Sequence, residues 1–334
     1  MPDTTINTVH ERELVRRFSG NPIITADDFP YMVNAVFNPG AVRLESGKTL
    51  LLVRVEDRTG RSHLVVATSD DGYSNWKIEP DRGIFPTGNF EEFWGVEDPR
   101  ITKIGDEYFV VYTGYSEGGP LVCLATTRDF VTFVRRGIVQ PPEDKDAALF
   151  PEKVNGEYLL IHRPAPAMQS LGAHVWVSSS PDLVHWGRSR ILLSARRGGW
   201  WDANKIGLGP PPLRTEKGWL ICYHGVRMTV GGAIYRVGLA LCDLDNPAQV
   251  IARGNEWVLG PTAPYERSGD VHDVVFPCGW VQGDKPDELR IYYGAADSTV
   301  CVADASISEL LEFVLQHPCH PGSLPPGECL EPIA

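Results

Sequence analysis

Polar and apolar residues alternate with a period of two along most of the chain, which predicts short strands and not helices. Runs rich in β-branched and aromatic residues lie between turn residues: Leu50 to Val55, His63 to Ser69, Tyr108 to Tyr115, Leu121 to Thr127, Tyr158 to His162, Val175 to Ser179, Trp219 to His224, Val237 to Cys242, Leu289 to Tyr293 and Thr299 to Ala303. Only the two ends carry a helical period. One helix is expected over 9–18. Another is expected over 307–315, where Ser306 followed three residues later by Glu309 has the spacing of a capping box.

A proline recurs near the start of five apolar segments, at Pro39, Pro99, Pro151, Pro211 and Pro277, in steps of 52 to 66 residues. A turn follows each proline, then a strong strand, a loop and a second strand. In the first four units an acidic turn closes the second strand, at Asp70, Asp129, Asp182 and Asp245, and its repetition marks it as structural. Four strands per unit and five units predict an all-β fold, a five-bladed β-propeller in a single domain over 1–334. The blades would span 34–90, 91–144, 145–200, 201–265 and 266–306, with short terminal helices at 9–18 and 307–315. A β-sandwich gives no reason for a fivefold register. The last unit lacks the acidic turn, so ring closure is expected to borrow a strand from the N-terminal segment near 21–25.

Composition narrows the function classes. Among 334 residues, 31 Lys+Arg stand against 43 Asp+Glu, a net charge of −12, and the basic residues are scattered, which argues against a nucleic-acid partner. The sequence has no apolar run of about 18 residues and no secretory h-region, so no membrane partner and a cytoplasmic location are expected. The seven cysteines are odd in number, widely spaced and often inside apolar runs, the pattern of reduced buried thiols. Cys319 between His317 and His320 lacks a second ligand pair for zinc. Gly114-Tyr115-Ser116-Glu117-Gly118 matches a nucleophile elbow in form only, because it joins two strands. Neither a metal nor an organic cofactor is called for.

In a propeller the first strand of each blade lines the central channel, so polar residues around the five prolines converge at one end of the axis. These are Asn38; Glu97, Asp98 and Arg100; Lys145, Glu152 and Lys153; Lys205; and Asp270, His272 and Asp273. Loops after the second strands add Arg54, Arg61, Arg163, His224, Tyr235 and Asp297. Carboxylates and cations beside aromatic faces (Trp94, Trp200, Trp201, Tyr265) suit a sugar or sugar phosphate. Arg163, Lys205 and His224 come from separate units at strand ends, an arrangement that favours an anion subsite. Asp98 before Pro99 is equally what a simple turn would use.

Several segments together carry a family resemblance: Val36-Phe37-Asn38-Pro39-Gly40-Ala41, Val96-Glu97-Asp98-Pro99-Arg100, Leu149-Phe150-Pro151-Glu152-Lys153, His162-Arg163-Pro164, Asn204-Lys205-Ile206-Gly207, Tyr223-His224-Gly225 and Tyr292-Tyr293-Gly294-Ala295-Ala296-Asp297. In this order, over about 20–315, they resemble the β-mannoside phosphorylases of glycoside hydrolase family 130. The resemblance implies a five-bladed propeller in which inorganic phosphate attacks the anomeric carbon of a terminal β-mannosyl unit. The product would be α-mannose 1-phosphate, formed with inversion, and phosphate would be a co-substrate in place of any cofactor.

Asp98 matches the family's proton donor, acting through the mannose 3-hydroxyl. It would have to stay protonated near neutral pH, with Glu97 and a closed channel raising its pKa. The phosphate cradle carries over onto Lys145, Arg163, Lys205 and His224. Asn38, Arg54, Arg61 and Asp297 match positions that touch the mannosyl unit or phosphate, and Glu97, Arg100, Tyr235 and Asp273 complete the expected substrate-binding set. Relatives often have Arg-Asn where this chain has Lys145-Asp146, so a bidentate fork is replaced by a point charge with a carboxylate beside it. The Glu97-Asp98 pair resembles members acting on β-1,2-mannosides more than those acting on β-1,4 linkages. Two alternatives stay open: a β-mannosidase using Glu97, Glu152 or Asp273 to activate water, and a propeller that only binds. Oligosaccharide and phosphate are the expected partners, and the sequence leaves a homo-oligomer open.

Overall fold

Runs of Val, Leu and Ile bounded by Gly, Asn and Asp turns fold as strands throughout the computed structural model, which describes residues 13–165 and 172–319. The fold is all-β, and its only helices among the described residues, apart from two single 3₁₀ turns, are α1 (Pro264–Arg267) and α2 (Ile307–Leu315). After β1 (Val15–Arg17) comes a first antiparallel group: β2 (Ala35–Arg43), β3 (Thr49–Glu56), β4 (Ser62–Ser69) and β5 (Lys77–Ile84). The second group is β6 (Gly95–Ile104), β7 (Glu107–Ser116), β8 (Gly119–Thr127) and β9 (Val134–Gln140). One parallel bridge, Ser62 opposite Gly95, joins these two groups into an eight-stranded sheet. The third group is β10 (Asp144–Leu149), β11 (Tyr158–Pro164), β12 (Val175–Ser180) and β13 (Gly187–Leu193).

In the fourth group β14 (Lys205–Leu208) and the short β15 (Leu213–Thr215) both pair with β16 (Gly218–Thr229), followed by β17 (Gly232–Cys242) and β18 (Val250–Arg253). The fifth group, β19 (Val275–Gln282), β20 (Glu288–Ala295) and β21 (Thr299–Ser306), takes β1 as its fourth strand.

Alternate side chains of each strand point to opposite faces, so each group packs on two neighbours. Leu50 and Leu52 of β3 join the core between groups one and two, while Leu51, Val53 and Val55 join the core between groups five and one. Three further cores lie between groups two and three, three and four, and four and five. The first strands run so close that side chains are excluded at their contacts. A Cβ on Gly40 of β2 would lie 2.7 Å from the Pro99 carbonyl of β6, and one on Gly279 of β19 would lie 2.3 Å from the Ala41 nitrogen of β2.

Several sequence expectations meet their test here. The helix over 307–315 is present: Ser306 Oγ accepts the Glu309 backbone N–H at 3.2 Å, and Ile307, Leu310, Phe313 and Val314 are buried. Of the helix expected over 9–18, residues 9–12 lie outside the described residues, and the described part is not helical: Val15–Arg17 is β1, paired with Ala305 to Ala303 of β21. The open edge of β21 offers unpaired N–H and C=O groups, and tertiary pairing outweighs weak helix propensity. The segment expected to close the ring makes only a bridge, Ile24 with Val300, on the same edge. The acidic turns are capped by Asp71, Asp129, Asp182 and Asp243, whose Oδ1 atoms each accept two backbone N–H groups, so Asp70 and Asp245 were one or two residues off. Gly114–Gly118 is the hairpin between β7 and β8. The six described cysteines are free and five are buried. Among the described residues no helix is long and apolar enough to cross a membrane.

Candidate active site

Four first strands slip register at one point each: β2 between Phe37 and Gly40, β6 between Glu97 and Arg100, β10 between Lys145 and Ala148, and β19 between Pro277 and Gly279. Asn38, Asp98 and Asp146 occupy the first three bulges with φ of 45°, 48° and 52°, left-handed values that residues with a Cβ rarely adopt. A bulge re-aims a side chain out of strand alternation, and here it buries three polar groups where the first strands meet. Asp273 before β19 and Asp297 after β20 are left-handed too, at 58° and 49°.

One half of the site is an acid cluster. Asp98 Oδ1 accepts hydrogen bonds from Arg54 Nη1 and from Asn38 Nδ2, both at 2.9 Å. Arg54, on β3, also donates from Nη2 to Glu97 Oε1 at 3.1 Å and from Nε to Ser62 Oγ at 2.9 Å, and its guanidinium lies 4.5 Å over the Phe37 ring. Lys145 Nζ stands 3.7 Å from Glu97 Oε2. Burial would raise the pKa of Asp98, but the charges of Arg54, Lys145 and Arg100 and the Asn38 hydrogen bond outweigh it and hold the carboxyl below its usual range. The expected elevation by Glu97 is therefore reversed, because Glu97 is itself paired with Arg54 and Lys145. The carboxyl that is raised is Asp297, to about 6, by burial first and by the nearby Asp98 and Glu97, against Arg54 and Lys145.

The other half holds the cations. Asp146 Oδ2 accepts Arg163 Nε at 2.7 Å and lies 3.5 Å from His224 Nε2, while its Oδ1 faces Arg100 Nη2 at 3.6 Å. The His224 ring packs 4.5 Å from Phe276 and 5.9 Å from Tyr235, and Lys205 Nζ sits 5.2 Å over the Tyr235 ring. Burial pushes His224 down to about 3, so it is neutral at pH 7. Lys205 is lowered, by burial and then by Arg163. Lys145 goes the other way: burial opposes its charge, but Glu97, Asp98 and Asp146 outweigh it and raise the pKa. Five cations (Arg54, Arg100, Lys145, Arg163, Lys205) thus stand among the carboxyl groups of Glu56, Glu97, Asp98, Asp146 and Asp297, a concentration of positive charge in a chain of net charge −12. Such a cluster suits an anion next to a neutral, hydroxyl-rich ligand.

Some candidates play a supporting part or lie elsewhere. Arg100 is buried and donates to the carbonyls of Asp98, Leu208 and Gly209 at 2.8, 2.9 and 3.2 Å, so it ties β6 to the end of β14 and supports Asp98 from below. Arg61 stands apart in the exposed turn capped by Asp57. The Asp273 carboxylate turns to Arg267 at 3.7 Å, although its backbone carbonyl accepts the Tyr235 N–H. Glu152 pairs with Arg214 on the surface, and Lys153 covers the Tyr158 ring. Asp270 accepts from Asn34, and His272 is exposed. Trp201 is buried against Tyr223 and offers no open face. Pro151, used to set the repeat, lies beyond β10 and not at its bulge. Asp146, which anchors Arg163 and His224, was not among the expected site residues. Its signal was present, because it occupies the same bulge as Asn38 and Asp98 one unit on.

The chain is similar to known proteins. A family model described as beta-1,4-mannooligosaccharide phosphorylase matches residues 7–316. A beta-1,4-mannooligosaccharide phosphorylase of Ruminococcus albus is 34% identical over 313 residues, 92% of each chain. A beta-1,2-mannobiose phosphorylase of Listeria innocua is 40% identical over 254 residues, 76% of this chain and 69% of that one. The solved structure of a Listeria innocua beta-1,2-mannobiose phosphorylase in complex with beta-1,2-mannobiose superposes with a TM-score of 0.82 at 33% identity, covering 90% of this chain and 99% of that one. The fold, the order of the motifs and these likenesses together make this chain a member of glycoside hydrolase family 130, the mannoside phosphorylases.

Proposed function

We propose that this enzyme cleaves β-mannosides by inverting phosphorolysis and releases α-mannose 1-phosphate. The observation that carries the reading is the grouping of Lys145, Arg163, Lys205 and His224 beside Asp98. The five strand groups with five cores between neighbours, the last shared by groups five and one, support a single five-bladed propeller with this cluster at one mouth of its channel.

The chemistry follows from the charges. Phosphate held by the cations presents an oxygen to the anomeric carbon on the face opposite the leaving oxygen. The new C1–O–P bond forms as the glycosidic C1–O bond breaks, and the leaving oxygen takes a proton relayed from Asp98 through the 3-hydroxyl. Phosphate is the nucleophile, so one carboxyl suffices where an inverting hydrolase needs two. Asp98 is ionised in the unliganded site, and the arriving phosphate changes that: its negative charge offsets Lys145, which together with Arg54 and Arg100 holds the Asp98 pKa down. Substrate hydroxyls competing for Arg54 and Asn38 act in the same direction. Asp297, buried beside Asp98, accepts mannosyl hydroxyls. No cofactor is needed, and cytoplasmic phosphate supplies the co-substrate.

The reading favours β-1,2-linked over β-1,4-linked substrate, supported by the Glu97-Asp98 pair and the likeness to the Listeria innocua enzyme. Incubation with each mannobiose, with and without phosphate, tests it. Mannose 1-phosphate is expected only with phosphate and faster from the β-1,2 disaccharide. Free mannose at an undiminished rate without phosphate overturns it.

A further inference from the structure

Building on the phosphate reading of the cation cluster, we infer that Asp146 makes this anion site selective for an oxyanion that carries a hydroxyl, such as hydrogenphosphate or hydrogenarsenate, and hostile to sulfate. Asp146 shares its bulge position and left-handed backbone with Asn38 and Asp98, so the fold aims it at the site as deliberately as it aims those two. It is fully buried, and its two oxygens are unequally used. Oδ2 accepts from Arg163 Nε and lies within reach of His224 Nε2. Oδ1 has no hydrogen-bond partner and only the Arg100 guanidinium at ion-pair distance. The cations around it, Arg163 first, keep the carboxyl ionised.

A carboxylate among the cations that would hold the nucleophile is costly for a bare anion, because like charges meet without a proton between them. It favours an anion that brings a hydroxyl, which can donate to the unused Oδ1. Phosphate and arsenate carry such a hydroxyl across the neutral range, and sulfate carries none. A buried acceptor built to meet a ligand hydroxyl rejects the analogue without it, because the acceptor is then left unpaired. Were Asp146 only a brace for Arg163, its loss would weaken all three anions alike and leave their ratio unchanged.

The test compares that ratio in the wild type and in Asp146→Asn. In the wild type, the inhibition constant of sulfate against phosphate should exceed the phosphate KM by at least about tenfold, and arsenate should replace phosphate, releasing mannose. In Asp146→Asn the sulfate-to-phosphate ratio should fall about tenfold or more, because an amide can donate to sulfate. A wild-type enzyme inhibited by sulfate at concentrations near the phosphate KM, or a ratio unchanged by the substitution, overturns the inference. Calorimetric titration of the wild type with phosphate and with sulfate decides the matter even if the variant fails to fold: binding of phosphate alone supports it, and equal binding of both refutes it. If the protein binds phosphate but not sulfate and yet forms no mannose 1-phosphate, the parent reading fails while the selectivity stands.

Discussion

Asp98 and Asp297 share one ionic cluster and titrate in opposite directions because their partners differ. Asp98 is clamped by Arg54 and Asn38, whereas Asp297 is buried with Asp98 and Glu97 adding to its burden. A carboxyl whose folded pKa, about 6, lies above its ordinary 3.8 binds its proton more tightly in the native state. It therefore weakens the fold when ionised, above pH 6, and the penalty disappears as pH falls towards 4. Asp297→Asn should accordingly stabilise the protein by up to about 3 kcal/mol at pH 8, with a gain that shrinks at pH 5, while activity falls. Urea unfolding at both pH values checks this; a gain independent of pH, or a loss at pH 8, contradicts it. The positions of Asn38, Glu97, Asp98, Lys145, Arg163, Lys205 and His224 were legible in sequence because each lies on the first strand of a repeated unit or on the strand paired with it. Their ionisation was not, since it depends on partners such as Arg54 that arrive from another strand. Arg61 and Asp273 had suitable chemistry and offset but lacked the bulge and the inward turn.

Strand elements were legible wherever period-two alternation had turns on both sides, and α2 was legible from its cap. β1 was not, because three residues carry no periodicity and their conformation is dictated by the free edge of β21. That strand is fastened by side chains as well as by its ladder. Arg17 donates from Nε to Glu266 Oε1 at 2.7 Å, and from Nη2 to Glu266 Oε2 at 3.0 Å and to the Gly260 carbonyl at 2.6 Å. Glu266 is fully buried and also accepts from Tyr293 Oη and the backbone of Thr262 and Ala263. Removing the guanidinium leaves that buried carboxylate without its counter-charge, so Arg17→Ala should lose about 2 kcal/mol in chemical denaturation. The conservative Arg17→Lys should recover only part of it, because a single ammonium cannot span both oxygens. A variant as stable as the wild type would mean that β1 is held by its backbone alone.

At the scale of the molecule, five repeated strand groups, each too small to bury both faces alone, pack on one another through shared cores and bring their first strands together. That convergence lets residues as distant in sequence as Asn38, Asp98, Asp146 and His224 act as one site, and five close-packed first strands leave room for little but small residues and the bulged polar ones. The fivefold repeat was readable from the spacing of prolines, but the pairing of the last group with β1 was not, since closure depends on contacts between the two ends of the chain. The central claim is that a single enzyme carboxyl and a bound phosphate split the glycosidic bond with inversion. Proton and phosphorus NMR of the first product formed from β-1,2-mannobiose in phosphate buffer tests it most directly. The account predicts that α-mannose 1-phosphate appears mole for mole as the disaccharide disappears, and that turnover stops when phosphate is withheld. The β-anomer of the phosphate, or mannose released at the same rate without phosphate, would contradict it.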